Sequence, residues 1–209
     1  MNQSMDLKQI FVKLITNFKN DDTFAHQLWE PIEKAYNEPQ RHYHNLEHIR
    51  YMVHKALEIE SLISNMEVLL FSIYYHDIVY KTTKSNNELK SAELAEKVAL
   101  EAGMSTDSAR LCYRQILATK AHEFSENQDT NYLTDIDLCI LGESPEDYNR
   151  YAYHIRKEYQ IYPGFMYRKG RKKVVRHFLD MDQIFKTTYF FEKYESQART
   201  NLNRELATL

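Results

Sequence analysis

Four histidines fall within the fourteen residues 41–54, RHYHNLEHIRYMVH. His44 and His48 stand four apart, with Glu47 directly before the second. On one helix that spacing aims both imidazoles at one point. If the helix starts near Asn45, His44 lies at its entrance and points elsewhere. The spelling His44-Asn45-Leu46-Glu47-His48 also fits H-x-x-E-H, in which two histidines hold zinc and the glutamate activates water. A solvent-facing pair on an ordinary helix fits the same spacing. Farther along, the stretch MEVLLFSIYYHDIVY, 66–80, is apolar nearly all round until it ends in His76-Asp77. Burying an imidazole and a carboxylate there is costly unless something pairs with them. Adjacent His and Asp can both reach a metal ion, the imidazole as a nitrogen donor and the carboxylate as a bridge between two ions. A third element, YLTDIDLCILG at 132–142, sets Asp135 and Asp137 in apolar surroundings. The two carboxylates point about 200° apart on a helix and to opposite faces on a strand, so one of them faces such a site.

The elements that must position these residues read as helices. Leu7, Ile10, Phe11, Leu14, Ile15 and Phe18 recur at helical spacing. A second helix follows the cap signal Asn20-Asp21-Asp22 and is expected to end at Pro39. A third carries Ile49, Met52, Val53, Ala56 and Leu57, and the all-apolar fourth reads as a central one. Leu89 to Ala99 form a helix closed by Gly103, and Thr106 or Asp107 caps the next. Ser144-Pro145-Glu146-Asp147 opens another, stopped by Tyr162-Pro163-Gly164. A last long helix spans about Tyr189 to Leu206. With four Gly and four Pro in 209 residues, there is little provision for the many tight turns of a sandwich or barrel. The expectation is an all-α fold, one compact bundle of seven to nine helices over residues 1–209.

Composition narrows the function classes. A net charge of −3 does not suit stable binding of nucleic acid, although a local basic patch stays open. No apolar run approaches transmembrane length, so no membrane partner is expected. The opening MNQSMDLKQIFVKL lacks the charged, apolar, small-residue order of a secretory leader. Cys112 and Cys139 imply no disulfide framework and read as buried free thiols. A cytoplasmic protein is the expectation, with a homodimer left open.

The order His48, His76-Asp77, Asp137 on successive helices resembles the HD superfamily of metal-dependent phosphohydrolases. RHYHNLEHI, YYHDIVY, NNELKSAELA, ILATKAH, DIDLCILG, YRKGR and ARTNLNREL resemble, in order and spacing, a bacterial group of predicted members of about this length. The resemblance covers residue 25 to the C-terminus and implies an HD-domain bundle. His48, His76, Asp77 and Asp137 would hold one or two divalent ions. Mixed His and Asp ligation suits Mn, Fe, Co, Ni or Zn better than Mg or Ca. The run YHNLEH also resembles the H-N-x-x-H of cyclic-nucleotide phosphodiesterases, which makes His44 a general acid. Glu88 is a candidate to handle the attacking water, and a helix-dipole glutamate is its alternative. His122 fits a second ion or the substrate. Arg41, Lys120, Arg168 and Arg171 are candidate phosphate ligands, the arginines offering bidentate forks. The substrate expected is a small phosphorylated compound, a nucleotide first among the classes. Two other readings use the same residues: a di-iron oxygenase resembling inositol oxygenase relatives, disfavoured because His122 is the lone His between the HD pair and the last Asp, and a non-catalytic metal- or nucleotide-binding protein.

Overall fold

The computed structural model describes residues 6–209. Residues 1–5, part of the stretch read above for a leader, lie outside them. Among the described residues there are ten α-helices and no strand: α1 (Leu7–Phe18), α2 (Asp22–Tyr36), α3 (Leu46–Glu58), α4 (Met66–Tyr75), α5 (Asn87–Glu101), α6 (Thr106–Ala118), α7 (Gln128–Leu138), α8 (Pro145–Glu158), α9 (Gly164–Leu179) and α10 (Thr188–Thr208). The all-α expectation holds, with one helix more than the range expected. The stretch around Asp135 and Asp137, readable as strand or helix, is the helix α7. None of the described helices is long and apolar enough to cross a membrane. The chain divides into two compact units, Met1–Leu133 and Thr134–Leu209.

In the first unit, carboxylate and amide side chains start α1 to α4. Asp6 accepts from the backbone of Lys8 and Gln9, Asp21 from Phe24, and Asn65 from Val68, which satisfies amides that a helix start leaves over. Ser105, one residue before the expected caps, opens α6 by accepting from Ser108. α4 is buried from Val68 to Tyr75, as its apolar circumference requires. Phe11 of α1 meets Tyr74 edge-on at 5.0 Å, and Tyr74 donates its hydroxyl to the Leu7 carbonyl at 2.9 Å. Asp129, in the first turn of α7, accepts from the backbone of Ser64 and Asn65 at 2.9 and 2.8 Å. One carboxylate thereby ties the starts of α4 and α7 together. Gly103 ends α5 at φ +89°, where a Cβ would also press to 3.2 Å from the Phe18 carbonyl. The cysteines are buried free thiols, as expected. Burial pushes the Cys112 thiol up to about 12.

The second unit is held by carboxylates facing inward. Asp135, fully buried, accepts from the backbone of Lys186 (2.9 Å) and Thr187 (2.8 Å) and from the Thr187 hydroxyl (2.8 Å). Glu195 takes the backbone amides of Ile184 and Phe185. The segment leading into α10 is thus pinned by two acids. At Gly142 a Cβ would lie 2.6 Å from the Tyr194 backbone oxygen, so the chain there passes too close to α10 for any side chain. Arg171 of α9 grips Glu205 of α10 through Nε (2.8 Å) and Nη2 (2.9 Å) and donates from Nη1 to the Tyr151 hydroxyl (3.2 Å). The Tyr148 hydroxyl donates to the same carboxylate.

Burial by itself would raise the Glu205 carboxyl, but the hydrogen bonds and charge of Arg171, with Tyr148, hold it below its ordinary value of 4.5. A carboxyl depressed in the folded state adds stability above that ordinary value, and the contribution is lost as pH falls through the folded value. Arg171→Ala is therefore expected to cost about 3–5 kcal/mol at pH 7, because it strands a buried charge. The deficit should shrink as pH drops below 4.5. Urea denaturation of both proteins at pH 7 and pH 3.5 measures the two effects.

Candidate metal centre

The site residues of the first unit come from the approach to α3 and the end of α4. Asn45 caps α3: its side chain accepts from Glu47 N at 2.9 Å and donates to the His42 carbonyl at 3.1 Å. His44 therefore precedes the helix, and His44 and His48 do not form a pair on one helical face. Glu47 points outward with a 79 % exposed side chain and pairs with Arg50 at 3.2 Å. The zinc-protease reading of H-x-x-E-H needs that glutamate beside the histidines, and the structure contradicts it.

His48 and His76 are buried. His76 Nδ1 lies 2.8 Å from the Ile73 carbonyl, which only accepts, so Nδ1 carries a proton. In the neutral imidazole, Nε2 then presents a lone pair. That atom lies 3.3 Å from His48 Nε2 and 3.1 Å from Asp77 Oδ2. Bonds of about 2.1 Å to one ion put neighbouring ligand atoms about 3.0 Å apart at right angles and about 3.4 Å apart at tetrahedral angles. The observed separations match those edges. A cation bound between them would make a lone pair and a carboxylate oxygen at this distance favourable. The donor set, imidazole and carboxylate, is that of a transition-metal site.

Asp77 is held by its own main chain. Arg41, 5 % exposed, donates from Nη1 to the Asp77 carbonyl at 2.6 Å and from Nη2 to the Ile78 carbonyl at 2.9 Å. Its guanidinium lies over the Tyr36 ring at 5.0 Å and near the Tyr80 ring at 5.5 Å. The Asp77 amide donates to the Tyr36 hydroxyl at 3.3 Å. The fork named for phosphate is thus spent on the turn that carries Asp77. His44 Nε2 lies 3.9 Å from Asp77 Oδ2, its ring leaning on Tyr80 at 4.3 Å. Tyr43 flanks both His44 and His48 at about 5 Å.

Of the two aspartates in the second unit, Asp135 commits Oδ1 to Lys186 and Oδ2 to Thr187, and Asp137 is half-buried. His48 and His76 are the first unit's members of a side-chain set that could hold a metal ion. No family model, curated protein or solved structure matches the chain. The chemistry thus rests on these residues themselves.

The other named candidates fall elsewhere. Glu88 sits in the first turn of α5, half-buried, with Oε2 buried and accepting no hydrogen bond. Lys120 is exposed and donates to the Ser85 carbonyl at 3.1 Å. His122 takes a left-handed φ of 52°, uncommon for a residue with a Cβ, and is half-buried. In the second unit Arg168 is exposed on α9, and Arg171 is bound to Glu205. Tyr36 was not named from the sequence, where it reads as one more apolar position of α2.

Proposed function

We propose that the chain is a cytoplasmic metal-dependent phosphohydrolase acting on a small phosphorylated compound, with nucleotides the first class to try. The observation that carries this reading is that His76 Nε2 has the His48 nitrogen at 3.3 Å and the Asp77 carboxylate oxygen at 3.1 Å, separations that suit neighbouring ligands of one ion. The order of these residues in the chain, which resembles that of HD phosphohydrolases, names the reaction. His48, His76, Asp77 and Asp137 would hold one or two ions, with Mn, Fe, Co, Ni or Zn suited to the donors. Such an ion supplies an acidified water and a polarised phosphoryl oxygen.

The chain's own residues do the remainder. Arg41 keeps the Asp77 turn rigid, so that its carboxylate need not reorganise on binding. His44, outside the helix with its ring against Tyr80, is assigned the proton delivered to the leaving oxygen. Glu88 is assigned the attacking water. Its buried, unpaired carboxylate oxygen carries a cost that a structural role does not explain.

The test is phosphate release from a panel of phosphate esters, nucleoside mono-, di- and triphosphates and sugar phosphates. The protein is first reconstituted with each of the five metals in turn. Turnover of at least one class at more than 1 s⁻¹, roughly the low end of enzyme turnover numbers, is expected with at least one metal. Full metal occupancy with no release across the panel would leave a binding protein instead.

A further inference from the structure

We infer that the second unit carries a docking surface for anionic lipid, formed by the turn between α8 and α9 and the outer face of α9. Residues 150–177 hold nine lysines and arginines against one acid, Glu158, in a chain whose net charge is −3. α9 has no acidic residue at all. Its buried face is Arg171, Val175 and Phe178. At 100° per residue, Phe165, Lys169, Lys173 and Arg176 fall within about 80° of one another on the opposite face, and all four are exposed. Beside the basic stripe the turn exposes bulky apolar groups: Ile161 and Phe165 are 68 % exposed and Met166 is 48 % exposed.

The turn is built to hold them out. Arg156 donates to the Tyr159 carbonyl at 2.9 Å and the Tyr162 carbonyl at 3.2 Å, and lies over the Tyr167 ring at 4.7 Å. The apolar tip is therefore presented by a stapled loop, which lowers the ordering cost of binding.

Charge and apolarity together choose the occupant. Phosphate-bearing headgroups match the lysine and arginine stripe, and the acyl boundary takes up apolar tips at a depth of about 5–10 Å. A nucleic acid would use the cations and could stack on Phe165, but it has no use for exposed Ile161 and Met166. No spanning helix is needed, because a surface helix lies in the interface plane.

Flotation of the full chain with vesicles of phosphatidylcholine alone, and of phosphatidylcholine with 30 mol % phosphatidylglycerol, tests this. Binding is expected to the anionic vesicles only, reduced at least tenfold at 0.5 M salt and at least tenfold in K169Q/K173Q/R176Q. I161S/F165S should weaken it about fivefold or more at unchanged charge, with circular dichroism confirming the fold of both variants. Three outcomes would each overturn the inference: no binding to anionic vesicles, equal binding to neutral ones, or I161S/F165S binding like wild type. A 20-mer of single-stranded RNA that bound as tightly as the vesicles, with no loss in I161S/F165S, would mark a plain polyanion site instead.

Discussion

Asp135→Ala is expected to lower stability by about 3–5 kcal/mol and to leave metal content unchanged, whereas Asp137→Asn should do the reverse. Removing the Asp135 carboxylate leaves three donors unmet: the backbone amides of Lys186 and Thr187 and the Thr187 hydroxyl. A buried donor without a partner costs about 1–3 kcal/mol. Lys186 Nζ, 3.7 Å from the same carboxylate, also loses its counter-charge. The segment entering α10 would loosen, and the urea midpoint would fall with it. Asp137 is half-buried, and the asparagine keeps its volume, so its substitution should cost under about 1 kcal/mol. Metal analysis and urea denaturation on the two variants, done side by side, separate the roles. Metal lost from Asp135→Ala at wild-type stability would reverse the assignment.

His44→Ala is expected to lower turnover by about 10²–10⁴-fold while metal occupancy stays at the wild-type level, the range typical of a lost general acid. The distinction follows from position. His48 and His76 are buried with their Nε2 atoms 3.3 Å apart, so neither can be removed without dismantling the site. His44 lies 3.9 Å from Asp77 and sets its ring edge-on to His48 at 5.8 Å, and its side chain is 20 % exposed, open to a substrate from outside. Comparing kcat on the best substrate of the panel with metal content in the same samples measures this. Near-wild-type turnover would take His44 out of the chemistry.

Much of this architecture was legible because local rules decide it. The 66–75 stretch, apolar nearly all round, reads as a buried helix, and the caps at Asp21 and Ser144 mark helix starts that the backbone uses. The separation of His44 from His48 was also readable once Asn45 was taken as a cap. What could not be read depends on partners far along the chain. Arg41 and Arg171 have the same forked chemistry whether they face a phosphate or a protein group. The carbonyls of Asp77 and Ile78, 36 and 37 residues away, claim the first, and Glu205, 34 residues away, claims the second. Asp135 and Asp137 differ by two positions in one helix, and only the amides near residue 186 tell them apart. Glu47 looked like part of a metal motif until helix geometry turned it to solvent.

The most direct test of the central claim is elemental analysis of wild type and Asp77→Ala, purified in parallel without added metal or an affinity tag. One or two transition-metal ions per chain are expected in wild type and a loss of most of them in the variant, because Asp77 is a proposed ligand. Metal absent from both proteins, even after reconstitution with Mn, Fe, Co, Ni and Zn, would contradict the account.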